Sequence, residues 1–236
     1  MKRIGLLTLF ALSFVFVQAQ GGSAFGLKGG LTIGTQEWNN IDQGALFTWH
    51  GDVYVESLVE DNSFALIAQL GYHTRGSARR NQRIFTQNSN SSTINQSFEF
   101  NNISLMFGAK QKYDFQQNGK VYYMFGLRGE YTVSDNLEQY QDINPLFYPF
   151  PDGVRKLNMG LTIGGGFEMM FSQLFGGFLE FSVAPDITAQ YKQQEIPNVT
   201  NPFTGNPQTI GERTIRNLSF EVSVGIRLLR IVEYID

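Results

Sequence analysis

His50 and His73 are the only imidazoles in a chain of 236 residues, and each has a charged residue two places on, Asp52 and Arg75. Imidazole beside carboxylate is the pairing that holds transition metals and activates hydroxyl nucleophiles. If the segments carrying the histidines pair with Asp52 opposite Gln69, His50 lies diagonal to His73 on the same side. The sequence offers no obvious third protein ligand for a metal and no clearly placed serine for acyl transfer. It contains no cysteine, which removes disulfides, thiolate catalysis and Cys-ligated metals. The reading favoured over a metal or catalytic site is a hydrogen-bonded pair with no cofactor, because a site needs mutual geometry as well as residue types.

The remaining charges follow a simple rule of spacing. The acids Asp52, Glu56, Asp114, Glu130, Glu168, Glu180, Asp186 and Glu221 fall on one side of an every-second-residue alternation. The bases Lys28, Arg75, Lys110, Lys112, Arg128 and Arg227 fall on the same side. Near balance on one side, enclosed in a narrow interior, reads as mutual pairing, since an unpaired buried charge costs several kcal/mol.

Those charges must be positioned by strands. Period-2 alternation recurs eight times: from Phe25 to Gly34, Ala45 to Leu58, Ser63 to Gly76, Ser97 to Phe115, Lys120 to Ser134, Lys156 to Phe171, Gly177 to Tyr191 and Thr214 to Arg230. The connections alternate in length. Tight joints fall near Glu60-Asp61-Asn62, Gln117-Asn118-Gly119 and Gln173 to Gly176, and long polar stretches separate the other strands. Short turns at one end and long loops at the other are the asymmetry of membrane barrels. A two-residue Asn118-Gly119 turn would set Lys112 and Asp114 opposite outward residues. Parity therefore asks for three residues, Gln117 to Gly119, with Gly119 in a bulge.

The apolar face holds too many Phe, Leu, Tyr and Trp side chains for the inside of an eight-stranded barrel, which only just contains its own side chains. The face of glycines and charges fits there, and the apolar face points outward. Phe25, Phe64, Tyr113, Phe115, Tyr123, Phe167 and Phe171 form a lower aromatic girdle, and Phe47, Trp49, Tyr72, Tyr131 and Tyr191 an upper one. A soluble sandwich is the alternative. Alternation also explains how an outward apolar face coexists with a mean hydropathy of −0.18.

The first residues read as an export signal. Lys2 and Arg3 precede an apolar run from Ile4 to Val17, and Val17-Gln18-Ala19 closes on small residues, which sets residues 1–19 apart from a barrel of 20–236. Removing Lys2 and Arg3 takes Lys plus Arg from 18 to 16 against 21 Asp plus Glu, a net charge of −5. That balance excludes a nucleic-acid partner.

With these strands in place, the chain resembles the PorT-like family of Bacteroidota outer-membrane β-barrels over the whole stretch after the signal. The likeness rests on Phe25-Gly26-Leu27-Lys28-Gly29-Gly30-Leu31, Gly126-Leu127-Arg128-Gly129-Glu130-Tyr131, Gly164-Gly165-Gly166-Phe167-Glu168 and Ser223-Val224-Gly225-Ile226-Arg227-Leu228. The resemblance implies an eight-stranded, up-and-down antiparallel transmembrane barrel in a Gram-negative outer membrane, with both termini periplasmic. Its motifs encode close-packed strands and no chemical site. Family members commonly end on an aromatic residue soon after the last glycine, whereas here the chain runs from Leu229 to Asp236.

Function is then sought in the long loops. Arg79, Arg80 and Arg83, followed by the polar run Gln87 to Gln96, suit the phosphates of lipopolysaccharide or an acidic partner. Pro145 to Pro151 carries Phe147, Tyr148 and Phe150, a stiff aromatic knob suited to capping the barrel or meeting a protein partner. The expectation is a non-enzymatic interaction barrel. The alternatives are a narrow channel through the lumen and a lipid-modifying enzyme using the histidines.

Overall fold

A computed structural model describes residues 22–38, 43–57, 63–85, 91–115, 118–140, 149, 151–201 and 204–230, with the side chains of 80–94 outside that description. The signal-peptide reading of 1–19, the tail after Arg230 and the aromatic residues Phe147, Tyr148 and Phe150 lie outside the described residues.

Eight antiparallel strands form a closed ring. They are β1 (Ser23–Trp38), β2 (Leu46–Ser57), β3 (Phe64–Phe85), β4 (Ser91–Phe115), β5 (Gly119–Asp135), β6 (Leu157–Met170), β7 (Phe175–Pro185) and, after three short strands, β11 (Arg213–Arg230). Each pairs with the next, and β11 returns to pair with β1 along its whole length, from Ser23 opposite Arg230 to Trp38 opposite Ile215. Closure pairs each strand of the ring with a neighbour on both sides, as strands in lipid require. β8 (Tyr191–Gln193) pairs with the outer end of β11, and β9 (Ile196–Thr200) and β10 (Pro207–Ile210) form a separate ribbon.

The three tight connections and the described ends of the chain lie at one end of the barrel, here the short-turn end. The β4–β5 joint keeps the three-residue parity, one place earlier than expected. Phe115 pairs with Gly119 and Lys112 with Tyr122, so Gly119 is a paired strand residue, not a bulge. At the opposite end, β3 and β4 run to 22 and 25 residues, far beyond the roughly 9–11 that cross a bilayer. The expected 3–4 loop is therefore mostly a projecting two-stranded ribbon. Arg79, Arg80 and Arg83 belong to β3, and the polar run from Gln87 becomes strand at Ser91. The apolar-out rule did not reveal this, because a ribbon beyond the membrane has no face that must be apolar.

The faces are inverted relative to a soluble protein. Phe25, Leu31, Trp49, Leu66, Leu105, Phe125 and Val224 stand exposed, while Lys28, Glu56, Lys112, Arg128, Glu168 and Glu221 on the same strands are buried. Only a non-aqueous phase accommodates a continuous apolar belt around the ring. Tyr191 departs from the upper girdle and is fully buried. The reason is local: Pro185 has no N–H to extend β7, and Asp186 and Ile187 turn their N–H groups to Asn217 and Met159. The chain rejoins at β8 with its parity switched.

Leu105 lies on the exposed belt, opposite Leu70 and well away from both ends of the barrel. Leu105→Arg is expected to lower stability in phospholipid vesicles by about 2–4 kcal/mol, read from urea unfolding, because a charge near the midplane faces lipid. A soluble protein would show no loss there.

Candidate functional site in the barrel lumen

The lumen is filled in layers. Nearest the short-turn end, Glu56 is the hub. It accepts from Lys112, from Arg227 Nη2 at 3.0 Å and from Lys110 Nζ at 3.2 Å. Glu168 shares two of those donors, at 3.0 Å from Lys112 and 3.3 Å from Arg227. Above this floor lies an apolar plate of Tyr54, Ile67, Met106, Met124 and Phe178, on the same faces as the charges. The Lys110 ammonium also sits 4.0 Å from the Tyr122 ring centre.

The next level spans the ring. Lys28 donates to Glu180 Oε1 at 2.6 Å, and Tyr122 donates to Glu180 Oε2 at 2.8 Å. Here His50 and His73 stand directly opposite one another, not diagonal, with rings 5.3 Å apart and within 5° of parallel. His73 is held between two carboxylates, Nδ1 3.0 Å from Glu221 Oε1 and Nε2 3.0 Å from Asp52 Oδ1. His50 lies between two hydroxyls, Nδ1 2.9 Å from Thr32 and Nε2 2.8 Å from Ser223. Gly71 makes this possible, since a Cβ there would lie 2.0 Å from Asp52 Oδ1.

Above the histidines, Arg75 donates to Glu130 at 2.8 Å and lies 3.2 Å from Glu221. Arg128 lies 3.2 Å from Glu130 and donates to Asp186 Oδ1 at 2.5 Å, crossing Gly160, where a Cβ would meet the guanidinium at 2.4 Å. Asp186 Oδ2 accepts from Asn217 at 2.8 Å, which begins a layer of amides with Gln36 and Gln190. The outer mouth is closed by an apolar cap of Trp38, Phe98, Phe100, Leu137, Tyr140, Tyr191 and Ile215.

The structure thus brings Lys28, Asp52, Glu56, Arg75, Lys110, Lys112, Arg128, Glu130, Glu168, Glu180, Asp186, Glu221 and Arg227 into one connected interior. Asp114 does not join it. It lies past the barrel floor, its side chain 83% exposed, on Lys120 at 3.1 Å. Of the arginines sought for phosphate contact, Arg79 is half-buried, and the side chains of Arg80 and Arg83 lie outside the described residues. Sequence reasoning missed the neighbours that Glu221 and Ser223 supply to the histidines, because these come from the strand that closes the ring. Parity does put both residues on the inner face.

Seven of these side chains are acids and six are bases, and Arg213 is buried on the same face of β11 nearer the mouth. At His73 two carboxylates converge on one ring. Buried as they are, these partners are not readily replaced by solvent. Glu56→Gln is expected to lower the folding free energy by about 3–5 kcal/mol, because three cations lose one shared acceptor. Asp114→Asn should change it little. Urea midpoints of the folded barrel in detergent give both values.

Residues 18–188 match the family described as outer membrane protein beta-barrel domain. No curated protein matches the chain in sequence. Among solved structures, the Neisserial surface protein A is 13% identical, with 87% of this chain and 97% of that one covered and a TM-score of 0.43. OprG from Pseudomonas aeruginosa is 9% identical, with coverage of 89% and 98% and a TM-score of 0.46. Ail of Yersinia pestis, solved with the heparin analogue sucrose octasulfate, is 9% identical, with coverage of 89% and 99% and a TM-score of 0.40. With its closed ring, apolar belt, charged lumen and a family match over most of its length, this chain belongs to the outer-membrane β-barrel family.

Proposed function

We propose that this protein is a sealed outer-membrane scaffold that docks a partner protein or cell-surface lipid at its long-connection end. The observation that carries the reading is the filling of the lumen from floor to mouth by paired charges and an apolar cap. An eight-stranded barrel with its interior so occupied has no aqueous channel. The projecting part of the chain, the β3–β4 ribbon and the β9–β10 ribbon, all lies at one end.

In this reading residues 1–19 are cleaved on export, both termini face the periplasm and the ribbons face the cell exterior. The barrel belongs to the PorT-like branch of Bacteroidota. Arg79, Arg80 and Arg83 on the ribbon meet phosphates of lipopolysaccharide, for which guanidinium forks are suited. Phe147, Tyr148 and Phe150 meet a protein partner within a larger outer-membrane complex. The protein is a binding scaffold and not an enzyme, and it needs no cofactor for this role.

The chain from Gln20 to Asp236, folded in a planar bilayer, is expected to give no discrete conductance steps. Deleting 81–94 should leave its heat-modifiable gel mobility unchanged and remove co-purifying protein or lipopolysaccharide. Steps that disappear in Arg128→Ala or Glu130→Ala would overturn the scaffold in favour of a channel. A ribbon deletion that leaves every association intact would overturn the docking role.

A further inference from the structure

The two stacked histidines and Glu221 are arranged as a metal site that the scaffold reading does not use. One ligand atom from each of His50, His73 and Glu221 lies within 4.8 Å of the other two, and all three residues are buried. A tetrahedral ion with bonds of about 2.1 Å holds its ligand atoms about 3.4 Å apart, so a contraction of at most about 1.4 Å closes the set. The residues come from β2, β3 and β11, three strands joined through β1 into one wall of the barrel. Strand backbones hold such a set more precisely than loops do.

The outer atoms of the set are already arranged as metal-bound histidines require. A metal-bound histidine keeps its orientation by donating its other ring nitrogen to an acceptor, commonly a carboxylate. His73 turns Nδ1 toward Glu221 and has Asp52 on Nε2 at 3.0 Å. His50 turns Nε2 toward Ser223, two places along the same face from Glu221, and has the Thr32 hydroxyl on Nδ1 at 2.9 Å. Each histidine therefore has one nitrogen aimed at the Glu221–Ser223 side and the other held by an orienting oxygen.

Two further observations call for a cation here. Asp52 Oδ2 is buried and, among the described residues, has no hydrogen-bond partner. Two carboxylates, Asp52 and Glu221, also converge on the His73 ring. Arg75 lies 3.2 Å from Glu221 Oε1 and Lys28 donates to Glu180, and neither makes a hydrogen bond to Asp52 Oδ2.

We propose that His50, His73 and Glu221 form a buried site for one divalent transition-metal ion of the zinc class, with Asp52 and Thr32 orienting the histidines and the Ser223 hydroxyl beside the fourth position. Two imidazoles and one carboxylate suit a borderline ion such as Zn²⁺ and not Ca²⁺ or Mg²⁺, which take oxygen ligands. The lumen is closed at both ends, so the ion is taken up as the ring closes and pins β2, β3 and β11 together. This inference is independent of what docks at the outer rim.

The test folds the untagged chain from urea into detergent with equimolar Zn²⁺, and in parallel with a chelator, followed by exhaustive dialysis and metal analysis. One Zn²⁺ per folded barrel is expected from the first preparation, together with a higher urea midpoint than the second. His50→Asn and Glu221→Gln, each checked for folding by gel mobility, should retain at least about tenfold less. Co²⁺ in place of Zn²⁺ should give the visible absorption of a tetrahedral nitrogen–oxygen site in the wild type alone. Failure of the wild type to retain stoichiometric Zn²⁺ would overturn the proposal. So would retention by a folded His50→Asn barrel equal to that of the wild type.

Discussion

The charges on the inner face of this barrel are buried, and those that pair do so mostly with partners from other strands. Glu56 on β2 reaches Lys110 and Lys112 on β4 and Arg227 on β11, Lys28 on β1 reaches Glu180 on β7, and Arg75 on β3 reaches both Glu130 on β5 and Glu221 on β11. Those to Arg227 and Glu221 on β11, and the Lys28–Glu180 pair between β1 and β7, form only when β11 has returned to β1. A strand slipped by one residue would send its charges into lipid and its Leu and Phe side chains into the lumen. The ion pairs therefore act as a check on register and closure more than as a reservoir of stability, since a buried pair roughly offsets its own desolvation.

The chemistry of the inner face changes with height, although its geometry does not. Trp38 shares a face with Lys28 along β1, and Phe98 and Phe100 share one with Lys110 and Lys112 along β4. At the level of the exposed belt the inside is charged and the outside apolar. Toward the long connections the inside becomes apolar, with Trp38 and Phe98 rings 4.9 Å apart and Tyr140 folded back to donate to Ser97 O at 2.6 Å. The outer mouth is thus built like the core of a soluble barrel set on top of a membrane one. A barrel filled in this way, with long ribbons beyond the cap, is what the proposed scaffold role requires.

Much of this was legible in the sequence because period 2 and parity are strict. The eight strands of the ring and most of its inner charges follow from alternation alone. What parity cannot separate is a shift of two residues, which is why His50 was expected diagonal to His73 and stands opposite it. Glu221 and Ser223 reach the histidines only through ring closure, and no local pattern announces that contact. Strict alternation puts Tyr191 outside, but the break after Pro185 reverses parity; it puts Asp114 inside, but parity does not mark where the barrel floor lies. The strand extensions around Arg79 were hidden because a ribbon in water obeys no apolar-out rule.

The most direct measurement exchanges one cross-lumen pair. Lys28 and Glu180 lie 2.6 Å apart, both buried, on strands separated by β11. Lys28→Glu alone should abolish or greatly reduce heat-modifiable folding in detergent, because it leaves two carboxylates facing each other in a sealed interior. Adding Glu180→Lys to it should recover most of the folded band and most of the urea midpoint. A double variant no more stable than the sum of its single changes would contradict an interior held in register by specific pairs.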